Sequence, residues 1–251
     1  MKNSRLLRYF EEYIKKIDMN NAYAKAKYFH SLKSMDLAKT IALNFDMFNE
    51  EEIVVIELIA LFHDIGNFEQ NNYNIMDNQE EDNTMKSINI LFDSGIMRKI
   101  TKDTKYDNII KLAIYCHNKE GLPKNINEKM VTICNIIKDV HTIEEIRKVV
   151  NYPYVDNRIN EYPTSEVYNS FKSFKKLNNK IADNNADNIL VVLSNLFALN
   201  YNYSYNIMID NEYVSKVIKS LIIEDKKIEK FFNQIEVVLK NYMNKMKSVN
   251  I

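Results

Sequence analysis

Asn49-Glu50-Glu51-Glu52-Ile53-Val54-Val55-Ile56-Glu57-Leu58-Ile59-Ala60-Leu61-Phe62-His63-Asp64-Ile65-Gly66 is the stretch on which the fold turns. Asn49 is a good helix cap, and three glutamates follow it where they face the positive end of the helix dipole. After Glu52 almost every residue to Phe62 is apolar, so the spacing predicts a helix over 50–65 that is buried on nearly all sides. It ends at Gly66 and carries His63 and Asp64 in its last turn. The apolar run contains Glu57 and falls far short of the roughly 20 residues needed to span a bilayer. A core helix that finishes on an imidazole and a carboxylate brings ligand-capable groups into the interior.

The flanking sequence repeats the helical period. Apolar residues at three- and four-residue spacing predict helices over 4–18 and 23–44, the second with His30 near its start. The polar run 67–82 reads as a loop over the site. A helix over 83–93 stops at Gly95. Helices over 106–118 and 127–149 follow, joined by the turn Gly121-Leu122-Pro123; His117 ends the first and His141 lies in the second. Pro153 and Pro163 bound an irregular segment, beyond which helices are expected over 165–178, 183–200 and 212–247. The Tyr201-Asn202-Tyr203-Ser204-Tyr205 stretch lacks interleaved Lys or Arg, so it reads as a helix–helix corner that packs aromatic rings and not as a base-stacking platform. The expected organisation is a helical core over 1–150 and a C-terminal helical extension over 151–251 packed on it.

Composition agrees with an all-α protein. Three glycines and three prolines in 251 residues leave little material for the tight turns of a many-stranded sheet. Lys+Arg 34 balance Asp+Glu 34, so no strong nucleic-acid or membrane-surface field follows from charge. Cys116 and Cys134 have neither metal-pair spacing nor the density of a disulfide scaffold, and read as buried reduced thiols of a cytoplasmic protein. The N-terminus mixes charged and apolar residues too closely for a signal peptide.

All four histidines, His30, His63, His117 and His141, fall in the first 141 residues, each in an apolar helical stretch. Histidine is the usual neutral nitrogen ligand and the usual proton shuttle near neutral pH. Their concentration points to one polar site inside the helical core, a metal site above all. His30, His63, Asp64 and His141 come from three separate helices and His117 from a fourth, as metal ligands converging in space should. Adjacent helical residues point about 100° apart, so His63 and Asp64 face one centre only if other helices close around that helix end.

These residues resemble the HD superfamily of metal-dependent phosphohydrolases, and look like its small stand-alone bacterial members. His30-Ser31-Leu32 is similar to the first-histidine motif, and Leu61-Phe62-His63-Asp64-Ile65-Gly66 to the central one. Phe68-Glu69-Gln70 resembles the stretch after the glycine, His117-Asn118-Lys119 the later His-Asn-Lys, and Ile136-Ile137-Lys138-Asp139 the start of the final-ligand stretch. The likeness continues through Ser165-Glu166-Val167-Tyr168 to Leu199-Asn200-Tyr201. The resemblance implies an HD-domain helical bundle with additional C-terminal helices. It also implies a divalent metal held by His30, His63, Asp64 and His141, with Asp64 and His117 as catalytic groups. Asn67, Asn83, His117 and Lys119 stand at substrate-binding positions.

Four departures shape the expected chemistry. In the register fixed by Lys138-Asp139, the resemblance's final metal aspartate falls on His141 and the lysine after it on Thr142. A histidine falls on Asn83, and an arginine on Asn67. Asp139 lies two positions from His141, about 200° away on a helix, so only one of them can face the metal. A third imidazole in place of a carboxylate leaves a divalent ion about one unit positive. It moves preference from magnesium towards zinc, iron, cobalt or nickel, with manganese still open. The expected function is metal-dependent hydrolysis of a nucleotide or other phosphoester by an activated water, weakened by the losses at Asn67 and Asn83. The alternative is a catalytically degenerate domain that binds metal or nucleotide as a regulatory module. A small phosphorylated molecule is the expected partner, no membrane is, and a homo-oligomer is left open.

Overall fold

The structure is a computed structural model that describes residues 3–69, 83–151 and 157–249. Among these it forms twelve α-helices and no strand, as an all-α chain should. The chain divides into two compact units, Met1–His141 and Thr142–Ile251. The division falls inside a helix.

The first unit holds α1 (Asn3–Ile14), α2 (Ala22–Ala42), α3 (Glu50–Phe62), a 3-10 helix (Ile65–Glu69), α4 (Asn83–Phe92), α5 (Ile96–Ile100), α6 (Asp107–Cys116) and the start of α7 (Glu128–Asn151). At its centre lies α3, where Val55, Ile56, Leu58, Ile59, Leu61 and Phe62 are fully buried. Helix α2 packs extensively against α3. Leu6, Phe10 and Ile14 turn one face of α1 inward. The Phe10 ring meets Phe62 edge-on with centroids 5.6 Å apart, and Phe68 at 6.0 Å.

The start of α3 is set locally. Asn49 Oδ1 accepts the Glu52 backbone N–H at 3.0 Å, and Glu52 Oε2 accepts that of Asn49 at 3.0 Å, a complete capping box. Asn49→Ala is expected to cost about 1 kcal/mol of stability. Urea denaturation checks it, and an unchanged midpoint would mean that packing alone fixes this helix.

The end of α3 corrects the sequence reading. The helix stops at Phe62, and Gly66 lies within the following 3-10 helix, not at a C-cap. Gly66 is needed for proximity: a Cβ there would lie 2.8 Å from the Ser87 backbone N and 2.9 Å from the Asn83 backbone O. The loop expected over 67–82 is thus helical through Glu69, and its remainder lies outside the described residues, as does Pro153.

The second unit holds the end of α7 with α8 (Ser165–Phe171), α9 (Asn185–Ser194), α10 (Asn202–Asp210), α11 (Tyr213–Ser220), α12 (Lys226–Lys247) and two short 3-10 helices. The helices expected over 165–178 and 183–200 are shorter, and the single helix expected over 212–247 is two. Leu221 turns extended, and Ile222 exchanges backbone hydrogen bonds with Asn157 and Ile159, which interrupts the helix. Asp225 restarts it by capping Lys227 and Ile228. Helix α10 occupies the tyrosine-rich stretch. Tyr205 is fully buried, its ring 6.1 Å from that of Tyr242, and its hydroxyl donates to the Leu196 carbonyl. No helix among the described residues is long and apolar enough to cross a membrane.

Candidate metal centre

Four helices of the first unit deliver the expected groups to one place. His30 sits within α2, His63 and Asp64 follow the last residue of α3, His117 follows the last residue of α6, and His141 lies on α7. His30, His63, Asp64 and His117 are buried and His141 half-buried. Asp64 lies just beyond the end of α3, between that helix and the 3-10 helix that opens at Ile65. Its Oδ1 comes to 3.9 Å from His63 Nε2.

The donor atoms converge. His30 Nε2 lies 3.2 Å from His63 Nε2 and 3.4 Å from Asp64 Oδ2, and His117 Nε2 lies 3.5 Å from Asp64 Oδ1. The His141 ring centroid is 4.8 Å from that of His117 and 5.9 Å from that of His63. Two triads result, His30–His63–His141 and His63–Asp64–His117, the donor atoms of each within 4.8 Å of one another. His63 belongs to both. Two donors about 2.1 Å from one ion at the tetrahedral angle lie about 3.4 Å apart, so the spacings and the imidazole–carboxylate chemistry fit a divalent transition metal. His141 is the α7 residue that joins the first of these triads, while Asp139, fully buried on the same helix, is in neither.

Two backbone carbonyls select the tautomers. His63 Nδ1 donates to the Ala60 carbonyl at 2.8 Å, and His117 Nδ1 to that of Ile114 at 2.7 Å. Each ring therefore keeps its proton on Nδ1 and presents the Nε2 lone pair to the cluster, the arrangement in which histidine ligates metal.

Burial sets the charge states. It pushes the His63 imidazole well below its ordinary pKa, and the neighbouring His117, His30 and His141 add to this against the opposing charge of Asp64. Burial pushes the Asp64 carboxyl up. The Lys27 ammonium, His63 and hydrogen bonds from His117 and His30 outweigh it and hold the group well below the usual carboxylate range. A neutral imidazole and an ionised carboxylate are the forms that bind a cation.

These shifts predict acid lability of the metal-free protein. The folded state resists protonation of His63 whereas the unfolded chain takes it up below about pH 6.5, so stability falls as pH drops through that value, by up to about 1.4 kcal/mol per pH unit. Asp64 contributes stability that is present above its unfolded pKa near 4 and lost only at more acid pH. In chelator, Tm should fall between pH 6.5 and 5.5. A flat Tm across that unit would contradict a neutral buried His63.

The sequence reading missed Lys27. Its Nζ lies 2.8 Å from Asp64 Oδ2, with the side chain buried on α2 and the Tyr23 ring 5.8 Å away. The signal was present, because Lys27 precedes His30 by three positions and so shares its helix face. Of the other expected residues, Asn67 sits in the 3-10 helix just after Asp64, its N–H bonded to the Asp64 carbonyl and its Oδ1 buried. Asn83 opens α4, its carbonyl packed against Gly66. Lys119 Nζ covers the exposed Tyr115 ring at 3.5 Å from the centroid.

A family model described as HD domain matches residues 28–148, the span that carries all five residues of the cluster. No curated protein and no solved structure matches the chain.

Proposed function

Because residues 28–148 are an HD domain, a metal-dependent phosphohydrolase-type family, we propose that this protein is a phosphohydrolase that cleaves a nucleotide or other phosphoester with a divalent transition metal. The observation that carries the reading is the convergence of His30, His63, Asp64, His117 and His141 from separate helices, with two imidazole tautomers fixed by backbone carbonyls. His30, His63, Asp64 and His141 would hold the ion, which supplies Lewis acidity towards a phosphoryl oxygen and acidifies a water. Asp64, held ionised, accepts a hydrogen bond from that water and orients it for attack. A carboxylate of depressed pKa is a poor proton acceptor, so orientation is its contribution. His117, with its ring set by Ile114, contacts the phosphate. The imidazole-rich donor set favours zinc, cobalt, nickel or iron, with manganese next and magnesium last. The buried thiols Cys116 and Cys134 suit a reducing compartment, the cytoplasm.

A second reading is a domain that binds metal or nucleotide without turnover. Asn67 and Asn83 favour it, since neither supplies the cation or the proton donor expected at its position. General acid–base help is typically worth about 10²–10⁴-fold, so slow hydrolysis is the expected result. Hydrolysis of p-nitrophenyl phosphate by untagged protein, reconstituted with each metal in turn, separates the readings. Turnover with zinc, cobalt, nickel or iron exceeding that with magnesium supports the enzyme. Stoichiometric metal binding with no turnover under any metal supports the binding module.

A further inference from the structure

We infer that the second unit carries a docking face for single-stranded nucleic acid, built from aromatic rings and unpaired lysines of α8, the turn after it and α12. The inference does not depend on the phosphohydrolase reading of the first unit.

The chain's net charge of zero averages over a local segregation. At about 100° per residue, Lys227, Lys230 and Lys245 share a sector of α12 about 120° wide with Phe231, Val238 and Tyr242. Glu229 and Glu236 fall outside it, about 140–160° around from Phe231. Lys172, Lys175 and Lys176 follow at the end of α8 and in the turn beyond it. All six lysines are exposed, and none of them is in an ion pair among the described residues. Lys240, on the far side of α12, is by contrast held by Glu236 at 2.6 Å.

Ring contacts bring the two segments together. The Tyr168 ring meets that of Phe231 with centroids 5.2 Å apart, and Phe174 stacks on Tyr242 at 5.3 Å with planes 4° apart. Lys172 Nζ lies 4.7 Å from the Tyr168 centroid. Phe231 and Tyr242 stand about 16 Å apart along α12, so ring pairs and lysines alternate over one face, as on surfaces that track a single strand. Phe174 has a backbone φ of 54°, which glycine or asparagine adopts without strain and a residue this bulky rarely does. It is also 42% exposed. The strained turn therefore holds a large ring in solvent, one face against Tyr242 and the other open to a planar group.

Charge complementarity selects the occupant. Six unpaired ammonium groups call for a polyanion and exposed flat rings call for planar partners; a single strand offers both in alternation. A second copy of this face would set lysines against lysines. An acidic peptide supplies charge without bases to stack. An anionic bilayer favours continuous apolar bulk on one helix, whereas the exposed amides Gln234 and Asn241 lie among the groups of this face.

The test uses the full chain in chelator, so that no metal in the first unit contributes a phosphate contact. Fluorescence anisotropy follows binding of labelled oligo-dT and oligo-rU of about 16 nucleotides, the two arms separating a DNA from an RNA strand. At about 50 mM salt at least one of them should bind in the micromolar range, with affinity falling as salt rises by about 0.7 log units per decade for each phosphate contact. Phe174→Leu should lose about 5- to 100-fold and Phe174→Trp should retain binding, because a base stacks on a ring and not on an aliphatic chain. Phe174→Gly should bind as weakly as Phe174→Leu with a Tm no lower than wild type, since it relieves the strained turn; a weakened fold would not give that combination. Lys172→Gln, Lys175→Gln and Lys176→Gln together should shrink the salt slope by about 2, and Lys240→Gln should change nothing. Failure of both strands to bind overturns the inference, and so does binding to phosphatidylserine vesicles in their place. Equal affinity for polyglutamate, or binding that Phe174→Leu leaves intact, overturns it as well, since charge alone would then account for the contact.

Discussion

His63→Ala is expected to abolish zinc binding and every metal-dependent activity, because His63 is the one residue common to both ligand triads. His30→Ala and His141→Ala remove a donor from one triad, and His117→Ala from the other. Each of these three should leave measurable affinity. Removing an outer partner of a metal ligand typically costs about 10–100-fold in affinity, and a direct ligand costs more. Asp64→Ala should match His63→Ala in activity and exceed it in damage to the fold. It strips the buried Lys27 ammonium of its carboxylate, and breaking a buried ion pair by removing one partner costs about 3–5 kcal/mol. His63→Ala leaves the Lys27–Asp64 pair intact, so its metal-free Tm should stay close to wild type. Competition with a chromogenic chelator gives the affinities, and thermal unfolding in chelator gives the stabilities. Zinc bound by His63→Ala with wild-type stoichiometry and affinity would mean that the ion is held elsewhere.

The parts of this centre that the sequence displays are those encoded locally or by composition. Asn49 and Glu52 sit three apart and form the capping box that their spacing predicts. His63 and Asp64 close an apolar helix, and the confinement of histidine to the first 141 residues anticipates their gathering. Lys27 escaped notice because a lysine in an amphipathic helix is ordinarily solvated; its burial is decided by the partner thirty-seven positions away. The break at 221–225 escaped for a related reason. Val217, Ile218, Leu221 and Ile228 keep a helical period, but Ile222 finds backbone partners in Asn157 and Ile159, and a tertiary hydrogen bond overrides local propensity. Gly66 was read by its commonest role, a helix stop, whereas its function depends on a neighbour seventeen to twenty-one residues later.

That neighbour makes Gly66→Ala the most damaging conservative change expected in the first unit. The added methyl would stand 2.8 Å from the Ser87 N and 2.9 Å from the Asn83 O, and both are backbone atoms of α4. No side-chain rotation relieves such contacts, so α4 itself must move. The Gly66 N–H also donates to Ser87 Oγ at 2.9 Å, a buried bond that the displacement stretches. Overpacking typically costs about 1–3 kcal/mol, and a rigid neighbour places this case at the upper end. About 3 kcal/mol corresponds to a Tm lower by about 6–12 °C in a chain of this size. Gly95→Ala and Gly121→Ala provide the internal comparison. Those glycines have φ of 76° and 73° with nothing within 4 Å of the added carbon, so they incur only left-handed backbone strain, about 1–2 kcal/mol. Since Gly66 follows Asp64 by two residues and touches the residue that opens α4, its substitution should also weaken zinc binding. The two surface glycines should leave zinc binding unchanged. A Gly66→Ala protein no less stable than Gly95→Ala would mean that α4 yields freely, and that the close approach is not what requires glycine after the His63-Asp64 pair.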